Sequence, residues 1–308
     1  MESVRNPSVG IVIINWNSYV HTHQCLLSLK KVIYPNFKVF IVDNRSTDGS
    51  GRQLKEEHGD FAHFIFHHEN AGFAGGNNIG IAEVIRQGFD YLMLLNNDTE
   101  SKPDFLNHLV KTLEENPSIG AVQPKFFFLL NKTKIWNAGG KFVSFLGISR
   151  TIGYNQADQK KFNQPKTIDW ITGCGFMVST AIIKEVGMLN EKFFIYYEDV
   201  DWSFRIRKAG FKLAYEPKSV VYHEAGMAHK SKVKKKEGYV NPFVHYLRSR
   251  NQIWLLRKYT PWYFAPTVTL FMMFKNLAIM AYFVFRKRFK KLTFAAKGLK
   301  EGIFHEGI

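Results

Sequence analysis

Cysteine is scarce in this chain, with only Cys25 and Cys174 among 308 residues. Two thiols cannot build a disulfide scaffold or a four-cysteine zinc site, so a reducing compartment is expected. The familiar nucleotide loops are missing too. No Gly-Lys-Ser/Thr and no G-x-G-x-x-G occurs, which argues against a Walker A NTPase and a dinucleotide-binding Rossmann domain. Met1 to Ser8 is polar and lacks the basic-then-apolar pattern of a signal peptide, so the body is expected to stay cytoplasmic. Acidic residues run short at one end. Lys230 to Ile308 holds 17 Lys+Arg against 3 Asp+Glu, which is most of the chain's formal +16.

What is present is a globular composition. Hydrophobic residues make up 45% and aromatics 15%, more apolar mass than a disordered chain carries. The length suits one large domain with an appendage. The expected division is a nearly neutral body, 1–229, with halves at about 1–100 and 101–229, and a basic region, 230–308.

Such a basic region faces either nucleic acid or anionic lipid. Its apolar content favours lipid. Trp262 to Phe285 is a 24-residue run with one charge, Lys275, and Arg286, Lys287 and Arg288 follow it. Aromatic ends and a basic flank suit a membrane interface. The run is long enough to span a bilayer. The central lysine and Pro266 favour a helix lying in the interface at the cytoplasmic face, while a helix packed on the body stays open. No base-reading motif accompanies the charge, so no nucleic-acid partner is expected.

The body reads as alternating strands and helices. Val9–Ile14, Lys38–Val42, His63–His67 and Tyr91–Leu95 are short apolar runs of the kind buried on both faces of a sheet. Helical spacing covers Tyr19–Lys30, Arg52–His58 and about Ile79–Gln87, and Asn70 to Asn78 reads as a glycine-rich turn. The expected fold is therefore α/β, a doubly wound and mostly parallel sheet. Ligands bind such sheets beyond the carboxyl ends of the strands. Every notable polar cluster follows a strand end: Asn15-Trp16-Asn17, Asp43-Asn44, Asn70 to Asn78, and Asn96-Asn97-Asp98. Each alone is ordinary turn chemistry. Four in register point to a nucleotide diphosphate. Asp43 suits a base or ribose, and small residues near Gly72 and Gly75 can bring N–H groups to phosphate. Asp98 is either a helix N-cap before Pro103 or a ligand for a hard divalent cation.

In this order, these motifs closely resemble those of the family 2 glycosyltransferases, in the branch of rhamnosyl- and galactofuranosyltransferases. The likeness continues through Thr172-Gly173-Cys174-Gly175 and Tyr197-Glu198-Asp199-Val200-Asp201 to Tyr222-His223-Glu224-Ala225-Gly226, and so covers about Val9 to Gly226. The resemblance implies a GT-A fold and inversion at the sugar's anomeric carbon. It assigns Asn15, Asn17, Asp43, Asn44, Asn70, Gly72, Gly75, Asn77, Asn97 and Asp98 to the nucleotide sugar. Asp98 and His223 would hold Mg²⁺ or Mn²⁺. Asn96 stands where the family's D-x-D motif has its first Asp, and Asn77 where many relatives carry Arg. Trp170, Gly173 and Cys174 would form the acceptor side.

Inversion needs a carboxylate to take the acceptor proton. The resemblance makes Asp199 that base and Glu198 its neighbour. The alternative is a helix start capped by one of them, with Asp201 pairing Arg205. His223 is otherwise a structural histidine, and His21, His23, His67 and His68 read as surface or loop residues. The implied donor is dTDP-L-rhamnose, with UDP-sugars such as UDP-galactofuranose as the rival. The implied acceptor is a polyprenyl-linked or cell-surface glycan. A nucleotidyltransferase and a catalytically inactive membrane adaptor of the same fold are the competing classes. The sequence leaves the oligomeric state open.

Overall fold

The computed structural model describes residues 6–224, 230–235, 237–305 and 307. The N-terminal stretch 1–5, the Ala225-Gly226 end of the motif series and the expected boundary at 229 lie outside them. The chain forms two compact units: 1–141 with 151–194 and 198–225, and 142–150 with 195–197 and 226–308.

The first unit opens with the expected alternation. It runs β1 (Val9–Asn15), α1 (Tyr19–Leu29), β2 (Phe37–Asp43), α2 (Ser50–His58), β3 (Ala62–Phe66), α3 (Gly72–Arg86) and β4 (Tyr91–Leu95). These strands lie side by side, all parallel, in the order β4-β1-β2-β3. The unit's remaining strands are β5 (Thr99–Ser101), β6 (Ile119–Phe128), β7 (Ile135–Asn137), β10 (Lys166–Ile168), β11 (Gly175–Ser179) and β12 (Lys212–His223), while the pair β8 (Gly140–Val143) and β9 (Ile148–Thr151) straddles the division, with 142–150 in the second unit. Strand β11 is antiparallel to both β4 and β6 and extends the sheet, after which β12 runs parallel to β6. Helices α4 (Phe105–Glu115), α5 (Thr180–Val186) and α6 (Glu198–Lys208) complete the unit.

Alternate residues of the strands enter opposite cores, as the pleat requires. Val9, Ile11 and Ile13 of β1 pack with Leu26, Leu54 and Phe105 of α1, α2 and α4. Val12 packs with Ile81, Ile183 and Trp202 of α3, α5 and α6. Helices on both faces are what forces the central strands to be apolar throughout.

Two sequence expectations change. The segment Gly72–Asn78 is not a turn before a helix at Ile79 but the opening turns of α3. Its small residues bring the helix against the sheet: a Cβ at Gly80 would strike Val12, and one at Gly76 would crowd Ile14 and Asn44. Nor does Asp98 cap a helix at Pro103. Strand β5 intervenes, and α4 begins at Phe105.

The second unit contains β13 (Lys230–Lys235) paired with β14 (Gly238–Val240), followed by α7 (Pro242–Tyr259), α8 (Ala265–Phe285) and α9 (Phe289–Phe304). Proline at the first position of α7 and the Asn241 side chain accepting from Phe243 N–H fix where that helix starts. Helices α7 and α9 meet closely, because glycines 298 and 302 leave no side chain against the Tyr246 and Arg250 backbone. Tyr246 Oη also donates to Glu301 Oε2 at 2.6 Å.

Candidate active site

The ends of β1 and β2 are tied into one polar floor. Asn15 and Asp43 are register partners across the two strands. Asn15 Nδ2 donates to Asp43 Oδ1 at 2.8 Å, and Asn15 Oδ1 accepts from Thr22 Oγ1 at 2.8 Å. Asn97 Nδ2 in turn donates to Thr22 Oγ1 at 2.9 Å. The second Asp43 oxygen accepts the Ser46 N–H at 3.0 Å. Gly51, on the first turn of α2, is needed here, since a Cβ would sit 2.5 Å from the Asp43 carboxylate. Asn17, in left-handed conformation with φ 50°, uses Oδ1 to accept the Thr47 N–H at 2.7 Å, joining the first two βα loops.

Asn44 connects this floor to α3. It donates to Asn70 Oδ1 at 3.1 Å and Gly72 O at 2.9 Å, and accepts from Ala71 N–H at 3.0 Å. Gly72 has φ 71° and lies against the ring and carbonyl of Phe194, where a Cβ would clash. Gly75 lies inside the helix, and the buried Asn77 donates back to Phe73 O at 2.9 Å. Asn78, which the sequence offered no reason to single out, bridges further. Its amide donates to Leu189 O and Glu191 Oε1 and accepts the Leu189 N–H.

The Asp98 corner depends on β5. This strand pairs antiparallel with β12 and sets Thr99 opposite His223. The pairing places Asp98 Oδ1 3.1 Å from His223 Nε2. Burial opposes ionisation of Asp98, yet the charge and hydrogen bond of His223 outweigh it and hold the carboxyl below its ordinary value. Burial likewise opposes charging of His223, but the Cys174 sulfur and the Asp98 carboxylate push it up to about 10. Trp136 stacks edgewise on the ring, with centroids 4.2 Å apart. Nothing in its short strand, β7, signals that role. His21, expected at the surface, pairs with Glu224 at 3.0 Å, and the Glu224 N–H donates to Asp98 O at 3.0 Å.

These residues fit a hard divalent cation. Beyond the ion pair, the buried Asp98 Oδ1 has no hydrogen-bond partner among the described residues. An oxygen and a nitrogen 3.1 Å apart match neighbouring corners of an octahedron with bonds of about 2.1 Å. Among the described residues, clusters of three or more potential ligands occur only at His23-Glu57-His58 and His67-His68-Glu69. The Asp98 corner therefore supplies two protein donors, and diphosphate and water would complete the shell.

A short path leads from Asp98 to the candidate base. Two residues before Asp98, Asn96 N–H donates to Cys174 O at 3.1 Å, and Asn96 Nδ2 to Cys174 Sγ at 3.2 Å. Gly173, next in the chain, donates its N–H to Asp199 Oδ2 at 3.0 Å. Asp199 Oδ1 accepts the Val200 N–H at 2.8 Å. Glu198 and Asp199 lie on the first turn of α6, about 100° apart around the helix. The helix start and the Asp201–Arg205 pair, 2.9 Å, are both present. They coexist with the Gly173–Asp199 link rather than replacing it.

Burial, and then the adjacent Asp199 charge, drive Glu198 well above its usual value. Burial also raises Asp199, against the two backbone N–H groups that favour its anion. Glu198 Oε2 is buried without a hydrogen-bond partner among the described residues, which suits a carboxyl that keeps its proton. Trp170 is mostly buried over Gly140, with its indole N–H on Lys141 O.

The family model "Glycosyl transferase family 2" matches residues 10–187. A low-salt glycan biosynthesis hexosyltransferase of Haloferax volcanii is 26% identical over 208 residues, 67% of this chain but only 63% of that protein. The dTDP-rhamnosyl transferase RfbF of Shigella flexneri is 26% identical, over 82% of this chain and 81% of its own length. The N-acetylglucosaminyl-diphospho-decaprenol L-rhamnosyltransferase of Mycobacterium tuberculosis is 22% identical, over 69% of this chain and 75% of its own. Among solved structures, the mannosyltransferase PcManGT of Pyrobaculum calidifontis, with GDP-Man and Mn²⁺, superposes with TM-score 0.57 at 17% identity, covering 99% of this chain and 77% of that one. GalNAc-T7 with UDP, GalNAc and Mn²⁺ gives 0.59 at 16%, over 72% of this chain and 44% of that one. The fold is thus GT-A, and the chain belongs to glycosyl transferase family 2.

Proposed function

We propose that the protein is an inverting glycosyltransferase that moves a sugar from a nucleotide diphosphate to a lipid-linked glycan. L-rhamnose from dTDP-rhamnose is the leading donor, and the rhamnosyltransferases of Shigella and Mycobacterium among the relatives support that choice. The observation that carries the reading is the continuous path Asp98–Asn96–Cys174–Gly173–Asp199. It sets a cation-binding corner and a carboxylate base in one hydrogen-bonded frame at the strand ends.

The nucleoside binds over the Asn15–Asp43 floor. Asp98 and His223 would hold the divalent ion, which would supply charge neutralisation to the departing diphosphate. Asp199 takes the proton of the acceptor hydroxyl. As that oxygen bonds to the anomeric carbon from the opposite face, the bond from carbon to the diphosphate oxygen breaks, and its electron pair leaves with the nucleotide. The Gly173 and Val200 N–H groups favour the Asp199 anion and aim it, against the burial that raises its pKa. Glu198, held neutral beside it, adds no second charge.

Acceptor class and location rest on the second unit. Within Trp262–Phe285, an 18-residue window has a mean hydropathy of 1.8 with only 17% of it buried. Leu270, Phe274, Leu277 and Phe285 are exposed. Lys275, the lone charge in this run, turns onto α7, where Nζ donates to Gln252 Oε1 at 2.7 Å. The outward face is left apolar, with Arg286 to Lys291 beside it, which suits a helix seated in an anionic interface. The test is a panel of dTDP- and UDP-sugars assayed for turnover with Mn²⁺ or Mg²⁺. Turnover of none of them overturns the reading, and turnover of UDP-sugars alone moves the donor to the galactofuranosyl branch.

A further inference from the structure

The segment entering α6 follows an unusual backbone path. Phe194, Tyr196 and Tyr197 have φ of 64°, 74° and 72°, a region that bulky L residues seldom adopt. Such conformations persist only where the surroundings over-determine them. Helix α3 accounts for the first. Ala74 N–H donates to Phe194 O at 3.0 Å, and Asn78 holds Leu189 and Glu191 just upstream.

Ile195 and Tyr196 are held from α7. Asn251, with no exposed surface, donates Nδ2 to Ile195 O at 3.0 Å and to Tyr196 O at 2.9 Å. Its Oδ1 accepts from Arg250 Nε at 2.9 Å, which fixes the orientation of the amide. One turn earlier, the Arg248 guanidinium lies 4.7 Å over the Tyr196 ring. An asparagine in the interior of an 18-residue helix has no local purpose, since it forms helix poorly and must satisfy a buried amide. Its two N–H groups grip two successive carbonyls of a strained loop. Asp would present lone pairs to those carbonyls, and Gln is a methylene too long. The loop ends at Tyr197, and the next two residues are Glu198 and Asp199.

We propose that Asn251 is a positioning residue for Asp199. By holding the Ile195 and Tyr196 carbonyls, it fixes the positive-φ path through Tyr196 and Tyr197 and sets the first turn of α6 and the aim of the carboxylate. This inference rests on the reading of Asp199 as the base.

The test compares N251D, R248A and D199N in the full-length protein, with dTDP-L-rhamnose and UDP-sugars as donors. Turnover is normalised to dTDP-binding sites measured by calorimetry. N251D should lower kcat at least about tenfold, as sub-ångström misplacement of a base does, with donor KM and dTDP affinity unchanged. R248A removes an exposed cation–π contact and should lower kcat about threefold with the same split. A purely structural Asn251 would reduce the number of binding sites and leave kcat per site intact, which overturns the proposal. If N251D does not fold, R248A decides, and wild-type kcat there overturns it. An active D199N removes the base itself. An inactive D199N beside fully active N251D and R248A removes only the positioning role.

Discussion

The Gly173 backbone N–H donates to Asp199 Oδ2 at 3.0 Å, so the turn leading into β11, the strand that borders β4, holds the carboxylate of α6. One hydrogen bond thereby links the polar strand ends of the sheet to the helix that carries the proposed base. A carboxylate with one oxygen on Gly173 and the other on its own helix N-terminus keeps a lone pair on each for a substrate proton.

Replacing that carboxylate by its amide should remove the base and keep the shape. D199N is expected to lower kcat by roughly 10²–10⁴-fold, with dTDP affinity within about twofold by calorimetry. Unchanged turnover would take Asp199 out of the mechanism.

The room beside Asp43 gives a second outcome. G51A places a methyl 2.5 Å from the Asp43 carboxylate, which must then leave Asn15 or Ser46. Losing one charged hydrogen bond to the nucleoside should weaken dTDP binding about tenfold or more. Binding at wild-type strength would show that Asp43 does not touch the nucleotide.

The Asp98–His223 corner predicts metal dependence. D98A should raise the Mn²⁺ concentration for half-maximal turnover by about tenfold or more, and wild-type enzyme should lose activity in chelator and regain it with Mn²⁺. Full activity in chelator contradicts the assignment.

Glu198 gives a pH signature. Its acid is raised in the fold by burial and by Asp199, so the folded protein holds a proton that the unfolded chain releases near pH 4.5. Stability is then fullest below that pH and falls as pH rises towards the folded value. E198Q, a mimic of the protonated form, should flatten this decline in Tm against pH and retain turnover. An equally steep decline in E198Q would assign the slope to other groups.

The apolar face of α8 should bind membranes. Changing Leu270, Phe274 and Leu277 together to Ser should weaken flotation with anionic vesicles roughly 100-fold, without lowering Tm, since all three are exposed. Undiminished flotation would leave the face unexplained.

The parts legible in the sequence are those written in local pattern. Strands β1, β2 and β4 carry apolar runs because helices cover both faces, and the polar residues at the strand ends fall together because the strands are parallel. What escaped depends on distant partners. Gly72 to Asn78 has turn composition but is helical because α3 must lie against Val12 and Asn44. Strand β5 is three residues long and exists through its pairing with β12, and that pairing brings His223 to Asp98. The roles of Asn78, Trp136 and Asn251 appear only once residues from 55 to 113 positions apart are in contact.

The most direct measurement of the central claim is transfer from dTDP-L-rhamnose to a polyprenyl-diphosphate-linked acceptor, with the anomeric configuration of the product determined by NMR. The expected product carries one added sugar with configuration opposite to the donor's, formed by wild-type protein with Mn²⁺ or Mg²⁺ and absent in D199N. A product of retained configuration, or equal product from D199N, contradicts the claim.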